Sequence, residues 1–483
     1  MKTNALTIVL GLFCVTSVSA QNDIDALRYS QLTFGGTARF SSMAGSMGAI
    51  GGDISTLSFN PAGIAVFRTT EFTVTSSLFS QKSASSYNGL ESGDGKLNFN
   101  LSNIGLIASW NVKENNNSGW TSFNFGFGYS RINNFNNRNS VQAANTKSSL
   151  LDTYVNNANG HASGDFDQFS TDLAWQTYLF NPVDTSGNLQ YNHVIKNYGQ
   201  LQKKSFESGG YMGETVLSFG GNYKEKVLVG ATLGFVKLRY NEESTYEEVD
   251  DQDTIQNFKS FSYSQDLTSK GSGINFKFGF IVKPSDWLRI GAAIHTPTII
   301  NTKDTYSSSM KSDLETIKYD TVSPKGVFDY SVITPIRAIG SLGFIINKIG
   351  LLNIDYEFVD YSGAQLNSSP NVFVDVNKTI RSKYTPAQNI RIGGEVRIDP
   401  LVFRAGFALY GSPFRAGENI NSVRKSYTAG IGFRENNYFI DFAYIYTKQN
   451  SFSYLYDPAG LELNSIETNN RNSSFMLTFG IKF

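Results

Sequence analysis

A single cysteine, Cys14, is all that 483 residues offer for thiol chemistry, and it sits inside an apolar run near the N-terminus. The chain beyond that run therefore has no disulfide and no thiolate metal site open to it. It also lacks any stretch long and apolar enough for a membrane helix. Net charge is missing too: 41 basic residues balance 41 acidic ones, which leaves no basic face for nucleic acid. Histidine is scarce, with only His161, His193 and His295, and none neighbours a Gly-x-Ser-x-Gly elbow or a telling acidic pair. Neither an enzyme nor a metal or cofactor site is expected.

What is present is glycine, 44 of them, and 14% aromatic residues in a chain only 40% hydrophobic overall. Met1-Lys2, the apolar run from Ala5 to Val15 and the small residues Val18-Ser19-Ala20 have the form of a secretory signal peptide, residues 1–20, with cleavage after Ala20. A lipid anchor at Cys14 is disfavoured, because bulky Phe13 precedes it and the cut would fall inside the apolar run.

Residues 21–68 are too poor in bulky side chains to build their own core, above all from Gly35 to Gly52, and end in Asn60-Pro61-Ala62-Gly63. Such a segment needs walls supplied from outside, and its glycines suit close backbone approach. It is read as a plug. A phosphate-binding loop is the alternative, but Gly45 to Gly52 follows no strand signal and lacks the Gly-Lys-Ser/Thr ending.

From residue 69 to 483 the period is two. In the last strand Phe475, Leu477, Phe479, Ile481 and Phe483 alternate with Met476, Thr478, Gly480 and Lys482, and Leu401 to Leu409 and Ile390 to Ile398 repeat the pattern. A soluble sandwich also alternates, but would seldom carry so many glycines on its polar face. About fourteen strands are expected, near 70–81, 96–112, 120–132, 210–222, 226–241, 271–283, 287–296, 330–346, 350–358, 388–398, 401–410, 424–434, 438–449 and 471–483. Tight turns alternate with long loops, notably 134–208, which is the signature of an all-β transmembrane antiparallel barrel. An even strand number puts both termini on the short-turn, periplasmic side of a bacterial outer membrane, with outer-membrane lipids around the wall. The terminal Phe483 resembles the signal read by the barrel assembly machinery.

At this point the chain resembles the FadL-type outer-membrane transporters of long-chain fatty acids and other hydrophobic compounds. The resemblance rests on the small-residue N-terminal segment, on Asn60-Pro61-Ala62 about forty residues into the mature chain, and on the strand number. It implies an N-terminal hatch whose Asn-Pro-Ala turn lies beside a kinked third strand, where a hydrophobic small molecule or lipid leaves sideways into the bilayer. The family's ligand-binding residues do not carry over, because no motif outside the hatch aligns. FadL-like barrels also serve as docking components of type IX secretion, which is the alternative function.

Three sets of residues are singled out. Gly126 and Gly128 of the third strand, between lipid-facing Phe123, Phe125, Phe127 and Tyr129, leave an inward recess for the Asn60-Pro61-Ala62 turn and a lateral gate; the competing reading is that they only make room for the plug. Phe166, Phe169, Leu173, Trp175 and Tyr178 of the longest loop form a ligand-collecting groove or simply a helix packed on the rim. Arg289, Arg397, Arg404, Arg434 and Lys482 make a basic collar that seats the plug through Asp23, Asp25 and Asp53. The acidic run from Glu242 to Asp253 lacks the frame of a calcium loop and is read as a solvated loop.

Overall fold

The computed structural model describes residues 22–112, 118–144, 147–184, 187–347, 349–416, 422–457 and 461–483. The expected signal peptide lies outside them, as does most of the turn after the second strand.

Fourteen antiparallel strands close into a barrel. In chain order they are β1 (Glu71–Tyr87), β2 (Leu90–Asn111), β3 (Trp120–Asn134), β4 (Leu201–Tyr223), β5 (Val227–Val249), β6 (Ser260–Val282) and β7 (Leu288–His295), followed by β8 (Arg337–Ile346), β9 (Gly350–Asp360), β10 (Pro386–Ile398), β11 (Leu401–Tyr410), β12 (Arg424–Arg434), β13 (Tyr438–Ser453) and β14 (Ile466–Lys482). The last pairs with the first, from Glu71 opposite Lys482 to Ser86 opposite Glu467, which closes the cylinder. Phe475, Leu477 and Phe479 are exposed on the outside while Met476 and Thr478 are buried within. An apolar outer face on a closed sheet is the solution for strands in lipid, and the chain is an outer-membrane type β-barrel.

The strands run farther than the hydrophobic pattern suggests. Beyond the apolar girdle both faces turn polar, so the period fades while the ladder continues. Glu242, Glu243, Glu247 and Glu248 thus lie on β5 and not in a loop, and β1 turns into β2 through Asn88-Gly89, both at positive φ, a two-residue hairpin. The strand expected over 330–346 is broken at Thr334-Pro335-Ile336, where proline cannot donate to the ladder. Its first part, Gly326–Ile333, pairs with a strand at Ile299–Leu314 that takes over the upper half of β6 where β7 ends. The region 297–329, expected as a loop, is largely this outer sheet.

Residues 22–68 fill the lumen. Helix α1 (Asp23–Ser30) lies at the long-loop end, where Asp23 receives Lys383 and Tyr384, both at 2.7–2.8 Å. Helix α2 (Ala38–Ser42) and 3-10 helices at Ile54–Ser58 and Pro61–Val66 follow on the way down, and Arg68 pairs with Glu225 at the short-turn end. The described chain therefore begins under the long loops, and Phe483 lies at the short-turn end, where its N–H donates to the Thr70 carbonyl. The plug runs the length of the lumen before β1 starts.

Wall and plug meet backbone to backbone. A Cβ on Gly230 would lie 2.3 Å from the Pro61 carbonyl oxygen, one on Gly393 2.4 Å from that of Met43, and one on Gly291 2.7 Å from that of Gly48. Most strands from β2 to β12 turn such a glycine inward. Above the plug, helices α3 (Leu150–Ala158) and α4 (Thr171–Gln176) form a cap with its own core, including Leu151, Phe180, Phe258 and Tyr456.

Candidate functional site: a seam between β2 and β3

Two strands of this wall part company half-way up. The β2–β3 ladder runs from Asn111 opposite Ser122 to Asn103 opposite Ser130 and stops there. Above it, β2 pairs only with β1 as far as Leu90 opposite Tyr87, while β3 bulges between Arg131 and Asn133. A bulge bends its strand and interrupts pairing, which is how a closed sheet comes to have a local opening. Beyond β3, the strand Asn137–Ala144 pairs with β4 and lies against the inner side of the first hairpin, where Ser83 and Gln81 bond its backbone at Arg138 at 2.8 and 3.0 Å.

The plug occupies the interval. Thr33 donates its N–H to the Ile132 carbonyl at 2.9 Å, Asn133 donates its side-chain amide to Gln31 at 2.8 Å, and the Ser102 hydroxyl donates to the Gly36 carbonyl at 3.0 Å. Gly35 is pressed so closely on β3 that a Cβ there would sit 1.9 Å from the Arg131 carbonyl oxygen. Residues Gln31 to Gly36 thus bridge the two strands with a few hydrogen bonds in place of a continuous ladder.

Behind the seam is a cavity of about 280 Å³. Phe34, Phe79, Ile445 and Met476 supply apolar wall, Arg28 and Arg424 supply positive charge, and Arg131 contributes its backbone carbonyl beside Gly35. Arg28 is paired with Asp25 and Arg424 donates to the Leu32 carbonyl, whereas Arg131 lies over the Tyr211 ring at 4.7 Å and has no carboxylate partner among the described residues.

The expected site residues are distributed differently. Gly126 and Gly128 do face inward, with Phe125 and Phe127 exposed, but their recess holds Leu57, Ile64 and Ile54 of the plug. Asn60-Pro61-Ala62 sits elsewhere on the wall: Asn60 Oδ1 abuts Gly279 of β6, the Pro61 carbonyl abuts Gly230 of β5, and Asn60 Oδ1 caps the Ala62 N–H at 3.1 Å. The turn beside β3 is the segment around Gly35.

In the cap, Phe166 and Leu173 are buried in the core and Trp175 packs on it, while Tyr178 stacks outward on Tyr319. Phe169 lines a cavity together with Tyr306 and several carboxylates. Of the collar, Arg404 and Arg434 converge on Asp441 and Arg289 donates to the Ile50 carbonyl at 2.9 Å, but Arg397 turns out to an exposed pair with Asp399. Asp23 and Asp25 lie at the opposite end of the plug from this cluster. His295, the last residue of β7, is buried and meets the Phe59 carbonyl at 2.7 Å.

Thr33, Gly35, Ser102 and Arg131 were not among the expected site residues. One signal was available. Leu97, Phe99 and Leu101 alternate, then Ile104, Leu106 and Trp110 resume out of phase, and a three-residue step between Leu101 and Ile104 marks a bulge at Ser102.

A closed barrel, a lumen-filling N-terminal segment and a wall interrupted beside its third strand define a plugged transmembrane β-barrel. No protein-family model and no curated protein sequence matches the chain. Among solved structures it is similar to a Pseudomonas aeruginosa FadL homologue (13% identity, 94% of this chain and 99% of that one, TM-score 0.55), the Pseudomonas putida toluene transporter TodX (12%, 93% and 99%, 0.55) and the Ralstonia pickettii toluene transporter TbuX (14%, 93% and 99%, 0.51). The chain has the FadL-type fold.

Proposed function

We propose that this protein is a passive transporter of hydrophobic small molecules in a bacterial outer membrane, and that its cargo leaves sideways through the seam between β2 and β3. The observation that carries this reading is the replacement of the β2–β3 ladder by the plug segment Gln31 to Gly36, directly in front of the cavity. A hydrophobic molecule that passes there avoids the charged lower lumen, where Arg39, Glu395, Arg404 and Asp441 are linked. The neighbours with this fold include transporters of toluene. Arg424, which lines the same cavity as Phe34 and Phe79 and has no carboxylate partner among the described residues, favours an amphiphile with a carboxylate, such as a long-chain fatty acid, over a neutral hydrocarbon. Phe483 at the end of β14 belongs to the same reading as the residue that the barrel assembly machinery engages.

The test is a reversible staple. Asn100→Cys with Asn133→Cys places thiols on opposite sides of the cavity mouth, in a chain with no other cysteine after residue 20. Oxidation should abolish uptake of both oleate and toluene by cells, and reduction should restore it. Undiminished uptake in the oxidised form rejects the lateral route and leaves the docking role as the better account. Uptake of oleate no faster than toluene in the reduced form rejects the carboxylate preference alone.

A further inference from the structure

On the outer face of the barrel, three neighbouring strands carry cations in one line. Arg239 of β5 stands directly opposite Lys270 of β6, and Lys270 directly opposite Lys303 of the outer sheet. All three side chains are exposed, as is Lys237 two residues below Arg239, and no ion pair within 4 Å joins any of them to a carboxylate among the described residues. Asp329, opposite Lys303, is the one acid in the row. Like charges directly opposite each other in a sheet are destabilising, so this line disfavours its own strands unless anions from outside neutralise it.

Its height on the barrel indicates their source. Four residues below the row, Phe235, Ile274 and Ile299 form an equally continuous line of exposed apolar side chains in register. Between the two lines lie Lys237, Ser272 and Asn301, all able to donate hydrogen bonds. Acyl chains, a polar backbone and phosphates are stacked in the same order in a lipid. The surface is also concave: an open groove of about 690 Å³ follows these strands and is walled on one side by Asn367 and Ser368. The cationic line is about 10 Å long, two interstrand spacings, which exceeds the width of a single phosphate.

We infer that this groove binds a lipid carrying more than one phosphate in the leaflet on the long-loop side. On the opposite side of the barrel, Lys82, Arg471, Lys448 and Lys425 form a second line across β1, β14, β13 and β12, above Tyr446 and Tyr427. The wall therefore meets the head-group layer with positive charge at two poles.

The probe is lipid A, a glycolipid with two phosphates, compared with its enzymatically dephosphorylated form. Wild-type protein and the variant Arg239→Ala/Lys270→Ala/Lys303→Ala are reconstituted with each lipid and washed in neutral detergent, and retained lipid is counted by native mass spectrometry. Wild type should keep phosphorylated lipid and lose the dephosphorylated form, and the variant should retain less by about fivefold per cation removed. Lys270→Arg with Lys303→Arg should retain the wild-type amount, and a single Lys303→Gln serves if the triple variant does not migrate as a folded barrel. Equal retention by wild type and these neutral variants, or equal retention of both lipid forms, overturns the site.

Discussion

Arg39 of the plug and Glu395 of the wall meet at 2.9 Å, and through that one carboxylate the plug is tied to a chain of charges in β11, β12 and β13. Arg404 joins Glu395 at 2.6 Å and Asp441 at 2.7 Å, and Arg434 completes the chain at 2.8 Å. The polarity is the reverse of a basic wall receiving plug acids: here the plug brings the cation. Losing one partner of a buried pair leaves the other charge uncompensated, at a cost of about 3–5 kcal/mol. Glu395→Ala should accordingly loosen the plug, seen as faster leakage of small polar solutes and protease cleavage between residues 30 and 60. Arg397→Ala should change neither, because its exposed pair with Asp399 is confined to a turn.

At the seam, Gly35→Ala puts a methyl group where the Arg131 carbonyl already stands. The bridge must retreat from β3, so hydrogen exchange at Thr33 and Ile132 should accelerate. Uptake of hydrophobic compounds should rise, while strands away from the seam keep their protection.

Gly126→Val tests what fills the recess in β3. Its Cβ would lie 2.8 Å from Leu57 and 3.0 Å from Ile64, both plug side chains. Overpacking of this kind typically costs about 1–3 kcal/mol. The expected result is a lower unfolding temperature and solute leakage from a displaced plug; loss of hydrophobic uptake without either effect would instead place the gate at this glycine.

Glu248 anchors the cap. It accepts the Ser149 hydroxyl at 2.7 Å, the Leu150 N–H at 2.8 Å, Gln200 at 2.8 Å and Tyr246 at 2.6 Å. Glu248→Ala removes the acceptor at the start of α3 and leaves these donors buried, so added protease should cut within 147–200 on intact cells. The barrel itself should remain folded.

Helix α1 should dock more weakly as pH rises from about 4 to 6. Burial pushes the Asp25 carboxyl from its ordinary 3.8 up to about 6, against the pull of Arg28 and with the help of Asp304. The folded state then binds the proton more tightly than the unfolded one, so the associated stability is complete below the ordinary value and is lost as pH rises through the folded one. Hydrogen exchange in α1 should speed up across that window, and Asp25→Asn should flatten the change.

Much of the barrel was legible because lipid enforces one rule on every strand: the outer face must be apolar, whatever the inner face holds. That rule locates β3, β10, β11 and β12 to within a residue or two. It falls silent above the bilayer, where β5 and β6 continue as Glu- and Ser-rich ladders, and a polar strand there reads like a loop. The Tyr87-Asn88-Gly89-Leu90 hairpin was visible in principle, since Asn-Gly is the preferred pair for that turn. The plug was legible from its small residues, but its path was not. Which wall glycine faces which plug carbonyl depends on long-range placement, so Asn60-Pro61-Ala62 met β5 and β6 while Gly35 met β3. Charges misled in the same way, because alternation says that Arg397 points off the lipid face but not that it sits beyond the rim.

The glycine-lined wall also constrains how the molecule is made. Gly230, Gly291 and Gly393 leave no clearance between wall and plug backbone, and the bulky Phe40, Met43 and Met47 lie among them. A finished cylinder of this bore could not admit those side chains afterwards. Seating of the stopper is therefore expected to precede the joining of β14 to β1, and any change that delays seating of residues 22–68 should stall assembly with that last suture undone.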